Sequence, residues 1–253
     1  MQSQWAILSG IEGNLAAYEA VLQDIRRQRH PVTELYVVGD VVGLKGDNEA
    51  VIRRLRSHSS SSGASPHPGE FVPQVCVGWW EEQCFSLHGF SGVLNAPELM
   101  AQFGSDGVKH LWESVSRESV EWLRSRHFGF HELDCLLIHG STVSYADELT
   151  PKTPAIQLCD RLIRADANTL FCGRSGLIFE CWVEPSMLRS TVTTLDGVQD
   201  LIEQGKTPRR VVGVGSVGRT PGQATYTLYN PANNQVTFNA VSYNSVKGFG
   251  TVS

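Results

Sequence analysis

The sequence predicts an α/β fold with two facing β-sheets flanked by helices, an α/β/β/α sandwich. Three observations lead to this prediction. The first half of the chain alternates strand and helix patterns in the order βαβαβ, the second half is rich in strand patterns, and most predicted strands end in a glycine-containing turn. No repeat or linker interrupts the 253 residues, so we expect a single domain over residues 1–253.

The first β-loop-α-β unit is clearly marked. Gln4–Leu8 is a short apolar strand, and Asn14 is a suitable N-cap for an amphipathic helix over Leu15–Arg29. Pro31 ends that helix, and the strand Leu35–Gly39 follows, rich in β-branched and aromatic residues. A right-handed crossover makes the two strands parallel.

A polar stretch separates the next two predicted elements. A helix over Asn48–Arg56 precedes residues 57–70, which are rich in serine, proline and glycine. Such a stretch is too polar to pack, so we predict a flexible surface loop there. The strand Val72–Val77 follows it.

A long helical region is predicted over Pro97–Arg126. Its apolar spacing places Trp112 and Trp122 on the face that we expect to meet the core. Two strands follow, Phe128–Leu133 and Cys135–Ile138, around a turn.

The remaining predicted elements alternate between strands and helices. They are a helix over Thr153–Arg164, strands over Leu170–Cys172 and Leu177–Val183, a short surface helix over Asp196–Gln204, a strand around Val211 and Val212, and a terminal hairpin of Thr225–Asn230 and Gln235–Tyr243.

Composition narrows the class of protein. The net charge is −5, which argues against a general nucleic-acid-binding surface. The six cysteines form no CxxC pair, so we expect buried thiols in a reducing compartment. No signal peptide and no apolar run long enough for a membrane span are visible. A cytoplasmic protein without a membrane contact is therefore predicted.

Six loops at predicted strand ends carry the polar and glycine-rich motifs. Open α/β sheets build their ligand sites at the carboxyl ends of strands. The loops are Ser9–Asn14, Gly39–Asp40, Gly78–Glu81, His139–Gly140, Gly173–Gly176 and Gly215–Gly218.

The order and spacing of these loops resemble the calcineurin-like metallophosphoesterases, in particular their small prokaryotic phosphodiesterase-type members. Those chains run Asp-x-His-Gly-Asn, Gly-Asp-x-x-Gly, Gly-Asn-His-Asp/Glu, His-Gly, Gly-His-Thr-His and Asn-x-Gly-Ser-Val-Gly. The resemblance covers Trp5 to Tyr243. It implies the same sandwich fold and a site where Asp, His and Asn hold two divalent cations that activate water.

The resemblance leaves three candidate metal ligands. Asp40 matches the bridging aspartate, and His139 matches the histidine of the His-Gly motif. Glu12 stands where the family has a histidine and still offers carboxylate oxygens. Such a set suits at most one divalent cation, manganese, iron or zinc.

The other family ligand positions carry residues that cannot coordinate a metal. Gly10 replaces an aspartate, Trp79 the metal-binding asparagine, and Arg174 and Gly176 the paired histidines. Trp80 stands at the position of the catalytic histidine, and an indole cannot protonate a leaving group. We therefore expect no metal cofactor and assign no catalytic residue.

Loss of the cations would leave Asp40 and Glu12 uncompensated. We predict that the Arg174 guanidinium neutralises both, with a solvent-exposed arginine as the alternative. Trp79 and Trp80 either fill the vacated space or stack on a base or sugar ring of a ligand.

The glycine-rich motif of Gly215, Ser216 and Gly218 also has two interpretations. Its backbone N–H groups could bind an anion, or the glycines could serve only the geometry of a tight turn.

These observations predict a metallophosphoesterase-like protein that no longer hydrolyses phosphoesters and acts by binding. Its partner is an unidentified protein or a phosphorylated small ligand. The alternative is a phosphomonoesterase or phosphodiesterase with one cation on Asp40, His139 and Glu12, where Arg174 stabilises the transition state.

Overall fold

The computed structural model describes residues 3–59, 71–92, 96–183, 190–194, 197–201 and 209–244. The helices are α1 (Leu15–Arg26), α2 (Asn48–Ser59), α3 (Trp79–Leu87), α4 (Pro97–Ser114), α5 (Arg117–Arg124) and α6 (Ala155–Ala165). The strands are β1 (Gln4–Leu8), β2 (Val32–Val38), β3 (Pro73–Cys76), β4 (Gly129–Glu132), β5 (Cys135–Ile138), β6 (Thr169–Cys172), β7 (Ile178–Val183), β8 (Ser190–Thr194), β9 (Gly197–Leu201), β10 (Arg209–Val214), β11 (Gln223–Asn230) and β12 (Gln235–Ser242).

Two five-stranded mixed sheets form the centre of the fold. The first has the order β12-β11-β1-β2-β3, with β1, β2 and β3 parallel, and the second has the order β4-β5-β6-β10-β7, with β5, β6 and β10 parallel. The carboxyl ends of parallel strands meet at one edge of each sheet, so the loops that follow them can converge.

Three apolar layers hold the sheets and helices together. Trp5, Ile7 and Tyr36 of the first sheet pack against Leu137 and Phe171 of the second sheet, in the layer between the two. A second layer lies between the first sheet and helices α1 to α5, and a third between the second sheet and α6. This arrangement confirms the predicted α/β/β/α sandwich.

The long helical region is interrupted twice. Gly104 has a φ of +66° inside α4, and Val115 has extended backbone, so α4 and α5 are separate segments. Trp112 is 53% exposed, so its predicted place in the core is wrong, whereas Trp122 packs partly buried against the core. Trp112 follows the buried Leu111 by one residue, about 100° further round the same helical segment, and therefore points away from the buried face.

Two further local predictions differ from the structure. Residues 197–201 form β9, which pairs with β8, so the helix predicted over Asp196–Gln204 is wrong there, and the rest of that range lies outside the described residues. The spacing of Val198 and Leu201 suits a helix, but backbone pairing with β8 prevails. Helix α2 extends to Ser59, and the rest of the predicted loop over 57–70 also lies outside the described residues.

Within the ranges that the structure describes, no helix is both long and apolar enough to cross a membrane.

Candidate functional site

Asp40 lies at the centre of the candidate site, directly after β2 and Gly39. Its side chain is fully buried, and its φ is +55°, a conformation that non-glycine residues adopt rarely and that occurs at functional sites. Its Oδ1 accepts a hydrogen bond from the Trp80 backbone N–H at 3.0 Å. The Asp40 carboxylate therefore lies, in a strained and buried position, where the loops at the strand ends meet.

His139 follows β5 and is also fully buried. Its Nδ1 lies 2.9 Å from the Val38 carbonyl oxygen, which can only accept, so this nitrogen carries a proton and donates a hydrogen bond to that oxygen. Its Nε2 lies 3.2 Å from Asp40 Oδ1. The structure thus brings together two of the predicted site residues that stand 99 positions apart in the sequence.

Glu12 joins them from the loop after β1, with a φ of +50°. Its backbone N–H donates to the Asp40 carbonyl oxygen at 3.0 Å, which ties the first loop to the second. Its carboxylate and that of Asp40 bind the same guanidinium. The three candidate metal ligands therefore lie around one centre.

That guanidinium belongs to Arg219, a residue that sequence reasoning missed. Its Nε donates to Glu12 Oε1 at 2.6 Å, and one terminal nitrogen donates to Asp40 Oδ2 at 3.0 Å. The other terminal nitrogen donates to the Arg174 carbonyl oxygen at 3.0 Å. Each nitrogen of the fork therefore has an acceptor, two of which are carboxylates.

The prediction that Arg174 neutralises the two acids is wrong. Its guanidinium instead lies over the Trp79 ring, 4.7 Å from the ring centroid, and its backbone N–H donates to the His139 carbonyl oxygen. The sequence indicated that a positive charge is needed beside Glu12 and Asp40. The residue that supplies this charge is Arg219, which follows the Gly215–Gly218 motif. The sequence did contain a signal for this role, because Arg219 directly follows that strand-end loop.

Arg219 lies close to two glycines, Gly176 and Gly10. A Cβ on Gly176 would lie 2.5 Å from a terminal nitrogen of Arg219, and one on Gly10 would lie 2.7 Å from Ser216 Oγ and 3.6 Å from Arg219 Nε. Both glycines have positive φ angles. A side chain at Gly176 would therefore clash with Arg219, and one at Gly10 would clash with Ser216.

Glu81 is a second residue that sequence reasoning missed. It is fully buried at the start of α3, and its carboxylate accepts four backbone N–H bonds, from Asp40, Val41, Val42 and Gly78, at 2.7 to 3.1 Å. The signal was a glutamate three residues after Gly78, the spacing of a capping box. Glu81 thus fixes the turn that presents Asp40.

Opposite electrostatic effects act on these buried acids. Burial alone raises the pKa of Asp40, but His139 and Arg219 outweigh it and lower the pKa to about 2. Burial, followed by the charge of Asp40, raises the pKa of Glu81 to about 7. Burial also raises the pKa of Glu12, against the lowering effect of Arg219.

Both tryptophans are buried, and Trp80 is 6% exposed. Trp79 is 1% exposed, and its indole N–H donates to Glu98 at 2.9 Å, so it fills the interior as one of the two interpretations predicted. Trp80 packs edge-on against Trp79 and lies beside Phe103, with ring centroids 5.2 Å apart. The turn predicted at Gly78–Glu81 is the first turn of helix α3.

The Gly215–Gly218 motif has no free N–H group for an anion. The backbone N–H groups of Gly215, Ser216, Val217 and Gly218 donate to Leu177, Thr225, Ser9 and Gly10, respectively. Gly218 approaches the first loop so closely that a Cβ would lie 2.0 Å from the Ile11 carbonyl oxygen. The motif therefore serves turn geometry and delivers Arg219, and the anion-binding interpretation is wrong.

A cleft of about 400 Å³ opens above these residues. Its lining comprises Glu12, Leu44, Lys45, Trp79, Trp80, Gln102, Phe103, Arg174 and Arg219. Its volume is in the range of small-molecule sites.

Comparison with known proteins relates this architecture to solved structures. No protein-family model and no curated protein matches the chain. A metallophosphoesterase from Sphaerobacter thermophilus superposes with a TM-score of 0.66 over 96% of this chain and 90% of its own, at 19% identity. The chain has the metallophosphoesterase fold.

A cold-active protein-tyrosine phosphatase of a psychrophilic Shewanella is less similar, with a TM-score of 0.48, 14% identity, and coverage of 96% of this chain and 82% of its own.

The metallophosphoesterase fold implies divalent metals, but the described residues do not fit a metal centre. Within them, no group of three or more His, Cys, Asp or Glu side chains has a metal-binding arrangement. Asp40 Oδ2 and Glu12 Oε1 are bound to Arg219, whose guanidinium stands between them. Among the described residues, the buried His139 Nε2 has no well-formed hydrogen bond and so keeps a feature that suits a cation.

Proposed function

We propose that the chain is a non-catalytic binding protein on a metallophosphoesterase fold. The ion pairs of Arg219 with Glu12 and Asp40 carry this proposal, because a guanidinium keeps its charge and cannot ligate a metal. It supplies positive charge between the two acids, as a cation would, but it cannot activate water.

The tryptophan pair supports the same conclusion. Trp79 fills the position of a metal-binding asparagine in the family that the sequence resembles, and Trp80 that of the catalytic histidine. An indole offers neither a metal ligand nor a general acid. The site therefore lacks both a metal ligand at Trp79 and a general acid at Trp80.

The binding target is a phosphorylated small ligand or a protein partner. The open cleft favours the small ligand, because it is concave and its lining combines aromatic rings with cationic side chains. We expect neither nucleic acid nor membrane as a target, and the cytoplasm as its location.

One observation favours a second candidate function, a phosphoesterase with a single cation. His139 Nε2 has no well-formed hydrogen bond, and its Nδ1 contacts a backbone carbonyl oxygen, as metal-ligating histidines commonly do. In this alternative the cation would be held by His139 and Asp40.

Hydrolysis of p-nitrophenyl phosphate and bis(p-nitrophenyl) phosphate in excess Mn²⁺ separates the two functions. We expect the protein to release nitrophenol no faster than Mn²⁺ alone, because no group at Trp80 can act as an acid and Arg219 blocks the site. Manganese-dependent turnover that His139→Gln abolishes would favour the phosphoesterase and overturn the proposed function.

A further inference from the structure

The cleft carries more positive than negative charge along its lining. Lys45, Arg174 and Arg219 contribute three cations, and Glu12 contributes the one carboxylate among the described lining residues. The single charge of Arg219 is shared by two carboxylates, Glu12 and Asp40. Lys45 and Arg174 have no ion pair recorded among the described residues and are the two lining cations available to a ligand.

Arg174 is held in place without an acceptor for its side chain. Its guanidinium lies 4.7 Å from the centroid of the buried Trp79 ring, which restricts its freedom. Within the described part of the chain, no acceptor is recorded for its side chain, and its buried Nε has no hydrogen bond. A guanidinium fixed in this way is preorganised for bidentate contact with a phosphate.

Lys45 lies on the rim of the same cleft. Its side chain is exposed, and no ion pair with a described residue is recorded for it. A flexible ammonium beside a fixed guanidinium can follow a phosphate group as it binds.

An aromatic surface forms another part of the lining. The Trp80 and Phe103 rings lie 5.2 Å apart with an interplanar angle of 39°, and Phe103 is 42% exposed. Trp80 is only 6% exposed, so the Phe103 ring offers most of the face on which a planar group can stack. Gln102, next to Phe103, adds a polar group to the same part of the lining.

We infer that this cleft binds a phosphorylated small molecule that carries a planar ring, of about the size of a mononucleotide. Arg174 and Lys45 contact the phosphate, and Phe103, packed against Trp80, contacts the ring. The inference rests on the proposed function, since it requires Arg219 to stay with Glu12 and Asp40 and leaves the phosphate to Arg174 and Lys45. A volume of about 400 Å³ admits both parts of such a ligand.

Calorimetric titration with four probes tests the two-part recognition. The probes are adenosine and uridine 5′-monophosphate, adenosine as the ring without phosphate, and ribose 5-phosphate as the phosphate without ring. We expect both nucleotides to bind, because stacking tolerates different bases, and each partial probe to bind at least about tenfold more weakly. Binding of neither nucleotide, or equal binding of a nucleotide and ribose 5-phosphate, would overturn the inference.

Matched variants locate the binding site. Arg174→Gln, Lys45→Gln and Phe103→Ala should each weaken nucleotide binding by about tenfold. Lys152→Gln and Met100→Ala alter an exposed lysine and an exposed apolar side chain outside the cleft lining, and should bind as the unaltered protein does. Equal binding by all five variants would place the ligand elsewhere and overturn the inference.

Chromatography of the titrated samples separates this inference from the proposed function. Nucleotide recovered intact after binding supports both. Nucleotide converted to nucleoside and phosphate would overturn the non-catalytic function, while the cleft variants would still test the ligand class. A protein that neither binds nor hydrolyses the nucleotides overturns the ligand class and leaves the non-catalytic function in place.

Discussion

Replacement of Arg219 by methionine is expected to lower the free energy of unfolding by about 3–5 kcal/mol, the usual cost of removing one partner from a buried ion pair. Methionine keeps much of the side-chain volume, so the loss reports mainly the charge. It leaves Asp40, which is fully buried, and Glu12, whose side chain is 17% exposed, without their shared cation. Urea unfolding of the variant and the unaltered protein measures the difference.

A surface variant and a double variant are the controls for this result. Arg164→Met removes an arginine that is 60% exposed and paired with Asp160, and should cost about 0–1 kcal/mol. Glu12→Gln in the Arg219→Met background removes one uncompensated charge, so the double variant should lose less than the sum of the two single losses. Equal losses for Arg219→Met and Arg164→Met would contradict a structural role for the Arg219 ion pairs.

Replacement of Glu81 by glutamine is expected to cost about 2–6 kcal/mol, because two buried backbone N–H groups lose their acceptor at about 1–3 kcal/mol each. The carboxylate accepts four such bonds, two on each oxygen. An amide has one acceptor oxygen, and its NH₂ group would face two donors. The same urea unfolding experiment measures the loss.

Glu82→Gln is the matched control for Glu81. Glu82 is the next residue on α3, is only partly buried, and makes no hydrogen bond from its carboxylate that is recorded among the described residues. We expect a loss within about 0.5 kcal/mol for this variant, as for ordinary surface substitutions. A Glu81→Gln variant as stable as Glu82→Gln would show that the four N–H bonds do not hold the Asp40 turn.

Much of the fold could be predicted from the sequence because its signals are local. Apolar runs that end in glycine marked β1, β2 and β5, and Asn14 marked the start of α1. Asp40 and His139 follow strands of different sheets, so it was the resemblance to the metallophosphoesterases that placed them together before the structure was known.

The start of α3 was missed because its signal resembles that of a turn. Gly78 is a weak N-cap, and two consecutive tryptophans at the first helical positions suggest a strand end rather than a helix. The four acceptor contacts of Glu81 depend on how the β2 loop meets α3, which no spacing along the chain encodes.

The sequence did not identify Arg219 as the partner of Glu12 and Asp40, because that choice depends on tertiary packing. Arg174 and Arg219 both follow strands that point at the site, so charge alone could not separate them. The choice depends on space, because Arg219 lies where Gly10 and Gly176 leave room, whereas Arg174 packs on the face of Trp79. Such packing is visible only when the three loops are brought together.

Metal content tests most directly whether Arg219 has taken the place of the metals. The protein is incubated with excess Mn²⁺, desalted, and its metal per chain is counted by mass spectrometry, with the melting temperature recorded before and after. The structure predicts far less than one metal per chain and an unchanged melting temperature. At least one metal per chain, lost on Asp40→Ala or His139→Ala, would contradict it.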